Sequence, residues 1–170
     1  MASFEPAFEK MIQNEGGYQL TRIEGDRGGL TYAGISQHFH PNWQGWSLLE
    51  SNPQSPEITP LVRAFYQSEF WQKVCGDDIQ AQDIAENIFD FAVNAGVATS
   101  AKLAQVTVES TPDGIIGPKT LGKLNTIEPH LFVSQFAVAK VARYAAICNS
   151  NPSQKKFLLG WINRTLEGLK

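Results

Sequence analysis

The chain has 170 residues, of which 42% are hydrophobic, and its formal net charge is −3. This hydrophobic content is sufficient for a packed core and excludes a chain that is disordered throughout. The negative charge gives no electrostatic basis for binding nucleic acid or an anionic membrane surface, so we expect neither partner. The length predicts one compact body with two lobes, which we place at residues 1–86 and 87–170.

The N-terminus has early acids and no apolar run, which is not the pattern of a secretory signal. We also find no apolar stretch near the ~20 residues that a membrane span requires. We therefore expect a monomer that is made in the cytoplasm and reaches any target outside through another release system. A disulfide between Cys75 and Cys148 is possible, but sequence alone does not decide whether the two cysteines pair.

The first predicted helix, residues 3–15, ends in an acid on its apolar stripe. Its apolar residues recur at helical spacing: Phe4, Phe8, Met11 and Ile12. Glu15 is the next position on that stripe, and Gly16 and Gly17 then end the helix. Partial burial and the negative end of the helix dipole both favour a neutral carboxyl, which a general acid requires. The alternative is a surface glutamate that happens to precede a helix-ending glycine pair.

Residues 18–35 are rich in turns, with β-branched and aromatic residues between glycines. This pattern predicts a small irregular hairpin or a three-strand patch. A tight turn at Gly28 and Gly29 would bring Asp26 and Thr31 back near the end of the first helix. The alternatives are that Asp26 only forms a turn and that Thr31 is only a strand residue.

Residues 35–60 are loop-rich and carry His38, His40, Trp43 and Trp46. The histidines are accompanied by no cluster of cysteines or acids, so we predict no metal site. The tryptophans could stack on sugar rings, but we favour a satellite core under the loop. In the helix that follows, to about residue 72, Tyr66 is a candidate for the edge of a substrate groove, with core packing as the alternative.

Residues 84–98 are apolar nearly all round and predict a central helix. Asn87, Asp90 and Asn94 nevertheless share one face of it. Polar groups on a buried helix must be paired or must line something wet. They therefore form either the floor of a cleft or an internal network that fixes helix packing. Further helices are predicted at residues 99–109, from 118, at 128–148 and at 153–166.

Four segments, in this order, resemble a known family. They are Glu15-Gly-Gly-Tyr18, the run from Asp26 through Thr31 to Ile35, the run from Phe89 to Gly96, and the run from Asp113 to Leu121. The first two are similar to the N-acetylmuramidases of glycoside hydrolase family 108. The last two are similar to the predicted peptidoglycan-binding segment that follows in that family. The likeness spans about residues 4–161.

The resemblance implies a mainly α, lysozyme-like fold with a small β patch beside the catalytic helix. It implies cleavage of the β-1,4 bond between N-acetylmuramic acid and N-acetylglucosamine in bacterial peptidoglycan, by a phage endolysin or a secreted bacteriolytic enzyme. Glu15 would be the general acid. Asp26 and Thr31 follow the order of phage-type lysozymes but not their spacing. Tyr18, Tyr66, Asp90 and Asn94 are candidate substrate contacts, and this chemistry requires no metal or organic cofactor.

Two rival hypotheses remain. A lytic transglycosylase would use Glu15 as acid and base without needing Asp26 to orient water. A non-catalytic wall-binding module would bind peptidoglycan without cutting it.

Overall fold

The computed structural model describes residues 1–22 and 30–169, and 67% of these described residues are helical. The mainly α class is therefore confirmed. In chain order the elements are α1 (Phe4–Asn14), β1 (Leu20–Arg22), β2 (Leu30–Tyr32), β3 (Ile35–Ser36), α2 (Gly45–Ser51), α3 (Ile58–Tyr66), α4 (Gln82–Ala95), α5 (Val97–Thr107), α6 (Pro118–Leu124), α7 (Pro129–Ser150) and α8 (Leu158–Glu167).

The chain divides into two compact units. The first unit is residues 4–69, and the second unit is residues 1–3 with 70–170. The lobe boundary predicted between residues 86 and 87 lies inside α4, whereas this division lies between Glu69 and Phe70. Sequence periodicity marks where helices begin and end, but it does not show which helices pack together.

In the first unit, three short antiparallel strands form a sheet in the order β1-β2-β3. Tyr32 pairs with Ile35, so Ala33 and Gly34 alone connect β2 to β3. These strands lie in residues 20–22 and 30–36, which confirms the predicted three-strand patch. The predicted turn at Gly28 and Gly29 lies outside the described residues.

Helices α1 and α3 bring their apolar faces together in the first unit. Phe8 is fully buried and its ring centroid lies 6.0 Å from that of Tyr66. At the surface, Arg63 of α3 pairs with Glu5 and Glu9 of α1. Exposed ion pairs contribute only ~0–1 kcal/mol, so the buried rings account for most of the stabilisation between these helices.

The core of the second unit is built on α4, as the apolar run predicted. The residues of α4 that are fully buried are Ile84, Ala85, Ile88, Phe89 and Ala92. Phe91 packs edge-to-face on Phe136 of α7 with ring centroids 5.7 Å apart. The amide of Ala2 donates to the Ile79 carbonyl at 2.8 Å, so the N-terminal residues belong to this unit.

Helix α7 is apolar enough and, at 22 residues, long enough to cross a membrane. Its mean hydropathy reaches 1.3. By length and composition, therefore, the expectation that no apolar stretch of the chain is long enough to span a membrane is wrong. A core helix passes the same test, and α7 packs against α4, α5 and α8. It also carries a buried lysine, Lys140, among aromatic rings of its own unit. We therefore assign the buried face of α7 to the core of the second unit, although only 39% of its apolar window is buried.

Candidate active site

Glu15 stands directly after α1 and continues its hydrogen bonding. Its amide donates to the Met11 carbonyl at 3.0 Å, one helical turn back. Met11 and Ile12 are buried, and Glu15 itself is half-buried, as its place on the apolar stripe predicted. The carboxyl thus lies at the end of a helix face that is anchored in the core.

The glycine pair ends α1 in the way the sequence indicates. Gly16 and Gly17 have φ angles of 85° and 79°, in the left-handed region that glycine adopts without strain. The Gly17 amide donates to the Ile12 carbonyl at 2.8 Å. This closing bond satisfies a carbonyl of the last turn and fixes where Glu15 leaves the helix.

The turn between β2 and β3 lies against the Glu15 side chain. A Cβ atom built on Gly34 would lie 3.1 Å from Glu15 Oε2 and 3.3 Å from its Cγ. The same atom would lie 2.5 Å from the hydroxyl oxygen of Tyr66. Any side chain at position 34 would therefore displace one or both of these groups, and glycine leaves the space that Glu15 occupies.

Tyr66 lies behind this turn and is only 2% exposed. Its hydroxyl donates to the Ala33 carbonyl at 2.8 Å. The sequence suggested either a groove edge or core packing, and the burial favours core packing. We therefore do not propose a direct contact between Tyr66 and substrate.

Of the other predicted residues in the first unit, Tyr18 is 39% exposed and open to a ligand. Partial burial, with the charge of Glu9, raises its pKa further above neutrality. The hydroxyl is protonated at neutral pH and can donate a hydrogen bond. Thr31 is half-buried in β2, between Thr21 and Ser36 of the neighbouring strands. Asp26 lies outside the described residues.

A cavity of about 480 Å³ lies in the first unit between the segment before α2 and helix α3. The ring of Trp43 stacks on Tyr32 with centroids 6.3 Å apart, and it lies so close to Gly45 that a Cβ there would clash with the ring. Trp46 is buried and its indole donates to the His40 carbonyl. Trp46 is thus packed as the satellite-core interpretation predicts, whereas Trp43 is half-buried and lines the cavity, so stacking on a sugar ring stays a prediction for Trp43.

The polar stripe of α4 lies in the second unit, and two of its three members are paired internally. Asp90 accepts two hydrogen bonds from Arg164 of α8, at 2.9 and 3.1 Å. The Asn87 amide donates to the carbonyls of Asp83 and Gly168. Asn94 is exposed. The internal-network interpretation therefore fits Asn87 and Asp90, whereas a role in substrate binding stays a prediction for Asn94.

Across residues 1–22 and 30–169, no group of three or more His, Cys, Asp or Glu side chains is placed to hold a metal ion. His40 instead packs edge-on against Phe65, with ring centroids 4.7 Å apart. Cys75 and Cys148 are not joined to each other. The Cys75 thiol donates to the Ile116 carbonyl at 3.2 Å.

Sequence reasoning missed the part played by the Ala33–Gly34 turn. Its signal was only partial, because Gly34 suits the second position of a two-residue hairpin loop, whereas Ala33 is not one of the residues favoured at the first position. The contact of this loop with Glu15 joins segments 19 positions apart, and no periodicity reports such a contact.

Comparison with known proteins matches both parts of the chain. The family model described as Glycosyl hydrolase 108 matches residues 8–96, and the one described as Predicted Peptidoglycan domain matches residues 97–166. The solved structure of Brucella abortus SagA is similar, with 25% sequence identity and a TM-score of 0.72 over 98% of this chain and 91% of that chain. This match confirms the expected lysozyme-like fold. A search of curated proteins gave no match.

Proposed function

This chain belongs to the glycosyl hydrolase 108 family, and from that premise we propose that it is an N-acetylmuramidase. The family makes it a glycoside hydrolase, and the second matched segment makes peptidoglycan its partner. The proposed reaction is hydrolysis of the β-1,4 bond between N-acetylmuramic acid and N-acetylglucosamine. A phage endolysin or a secreted bacteriolytic enzyme would both use this reaction.

The position of Glu15 is the observation that carries the proposal. Glycoside hydrolysis needs a protonated carboxyl at the leaving oxygen. Glu15 is half-buried, is fixed by a capped helix end and lies against a tight turn, so its carboxyl has a defined direction. In the proposed mechanism Glu15 gives its proton to the glycosidic oxygen as the bond to the anomeric carbon breaks.

The second group of the mechanism is proposed from the sequence order. Asp26, helped by Thr31, would orient the attacking water on the opposite face of the sugar and so invert the anomeric carbon. Tyr18, exposed and three residues after Glu15, is the proposed substrate contact in the first unit. Its aromatic ring and hydroxyl suit a sugar, which offers both apolar faces and hydroxyl groups.

The decisive variant is Glu15→Gln, which keeps the shape and removes the transferable proton. We expect it to fold normally and to lose at least the ~10²–10⁴-fold that general acid catalysis contributes. Turbidity loss of purified sacculi measures the activity, and circular dichroism checks the fold. Glu50→Gln is the matched control, because Glu50 is an exposed residue of α2. A folded Glu15→Gln protein that clears wall at the wild-type rate would refute the assignment.

Mass spectrometry of the digested wall separates the two enzyme hypotheses. Hydrolysis leaves reducing muramic acid, whereas a lytic transglycosylase leaves an anhydro ring on it. Anhydro products would overturn the hydrolase proposal while keeping Glu15 as the acid. The third hypothesis, a non-catalytic module, predicts pelleting with sacculi without any products.

A further inference from the structure

The loop between β2 and β3 holds a residue that is strained. Ala33 has a φ of 49°, and the next residue, Gly34, has a φ of 80°. Two-residue hairpin loops of this kind favour asparagine, aspartate or glycine at the first position, because a Cβ there costs roughly 1–2 kcal/mol. Such strain persists only where surrounding contacts over-determine the backbone, and it clusters at functional sites.

The contact that holds this loop comes from α3. The Tyr66 hydroxyl donates to the carbonyl of the strained residue itself, Ala33, at 2.8 Å. The ring is fixed in turn, since Phe8 and Phe65 pack on it with centroids 6.0 and 5.3 Å away. A buried tyrosine hydroxyl needs some partner, so this bond alone would be ordinary packing.

The position of Gly34 connects the bond to the proposed chemistry. A Cβ at Gly34 would meet both the Tyr66 hydroxyl and the Glu15 carboxylate, at 2.5 and 3.1 Å. The turn therefore lies between Tyr66 and Glu15 and is packed against both side chains. A shift of the turn would change the space in which the Glu15 carboxyl rotates.

We propose that Tyr66 is a positioning residue for the general acid. Tyr66 holds the strained turn through its hydrogen bond to the Ala33 carbonyl. The turn then keeps the Glu15 carboxyl directed toward the leaving oxygen. The inference rests on the proposed function, since it assigns Tyr66 a role only if Glu15 donates the proton. It differs from a substrate contact, because a residue that is 2% exposed does not touch the glycan.

The test compares Tyr66→Phe with wild type on two substrates. Sacculi have a sugar leaving group that needs a proton, whereas a synthetic muramyl disaccharide with a dinitrophenolate leaving group needs none. Misplacing the acid should lower kcat on sacculi by about 10- to 100-fold with little change in KM. Activity on the dinitrophenyl substrate should stay within about twofold of wild type, because general acid help matters little there.

Tyr144→Phe is the matched control for the loss of a buried tyrosine hydroxyl. Tyr144 is 5% exposed, belongs to the second unit and shares a hydrogen bond with Thr165. It should lower the melting temperature as Tyr66→Phe does, and leave both substrate rates unchanged. Gly34→Ala is a second route to the same displacement, and should reproduce the pattern of Tyr66→Phe if that variant does not fold.

Glu15→Gln, measured beside these variants, distinguishes a failure of the positioning role of Tyr66 from a failure of the proposed function. If it loses activity on sacculi and keeps it on the dinitrophenyl substrate, the acid is assigned and the assay is valid. Equal losses on both substrates in Tyr66→Phe and Gly34→Ala, or no loss in either, would then overturn the positioning role alone. A Glu15→Gln protein active on sacculi would instead overturn the proposed function.

Discussion

Lys140 is a buried cation whose surroundings should make stability depend on pH. It is 3% exposed, and its ammonium lies 4.7 and 5.2 Å from the ring centroids of Phe136 and Phe91. It also donates to Asn87 Oδ1 at 3.4 Å. Burial lowers the pKa of Lys140 from 10.5 to about 8, although the nearby Asp90 opposes the change.

The free energy of unfolding should therefore rise between about pH 8 and 10.5. In that range the unfolded chain holds the Lys140 proton and the folded chain releases it, so raising the pH favours folding. A shift of this size corresponds to on the order of 3 kcal/mol. Lys140→Met should flatten this rise, and Lys119→Met, at an exposed position of α6, should keep it. Melting temperatures measured from pH 7 to 9.5 test this, and parallel curves for all three proteins would contradict it.

For single residues, the sequence predicts that Glu15 lies on the buried stripe of α1, but it does not predict which residues pack against its carboxyl. Glu15 is found by counting along one helix, since Met11 and Ile12 are its neighbours on the stripe. Tyr66 contacts Ala33, which lies 33 positions earlier in the chain. Gly34 lies against Glu15, which is 19 positions earlier. Hydrophobic periodicity gives Tyr66 a buried side, but it does not reveal which carbonyl its hydroxyl meets.

The polar residues on one face of α4 lie in two different environments, one paired within the protein and one exposed to solvent. The sequence left open whether Asn87, Asp90 and Asn94 line a cleft or form a network. The structure separates them, because Asp90 is held by Arg164 with both side chains about one-fifth exposed, while Asn94 is exposed. Helical spacing puts the three on one face, and only the packing of α7 and α8 decides how far along that face the solvent reaches.

Asp90→Asn should accordingly lower stability, whereas Asn94→Ala should lower activity. The first removes the charge and one of the two acceptor oxygens that Arg164 contacts, and should lower the free energy of unfolding by about 1–3 kcal/mol while specific activity in the cold stays normal. The second should leave the melting temperature nearly unchanged and weaken activity, if Asn94 contacts the glycan. Both are measured on one preparation by thermal melting and sacculus clearing. Normal activity in Asn94→Ala would remove it from the substrate contacts.

For the whole molecule, fold class was predictable because it depends on features that repeat. Apolar stripes at helical spacing predicted the main helices, and the glycine-rich stretch predicted the sheet. The division at Glu69–Phe70 was not predictable, since a turn of π-helix at Gln67–Trp71 follows α3 directly and no proline or glycine linker marks it. Composition changes reveal flexible linkers, whereas a division inside a run of helical backbone leaves no such trace.

The two family matches suggest that wall binding and bond cleavage depend on different stretches of the chain. Residues 97–166 match the predicted peptidoglycan domain, and Glu15 lies outside them. Glu15→Gln removes one proton from one side chain, so it should abolish clearing yet leave the affinity for sacculi within about twofold of wild type. Pelleting with sacculi in the cold, where the wild type turns over slowly, measures the affinity, with Glu50→Gln again as the control. If Glu15→Gln failed to pellet while remaining folded, the carboxyl would serve binding rather than proton transfer.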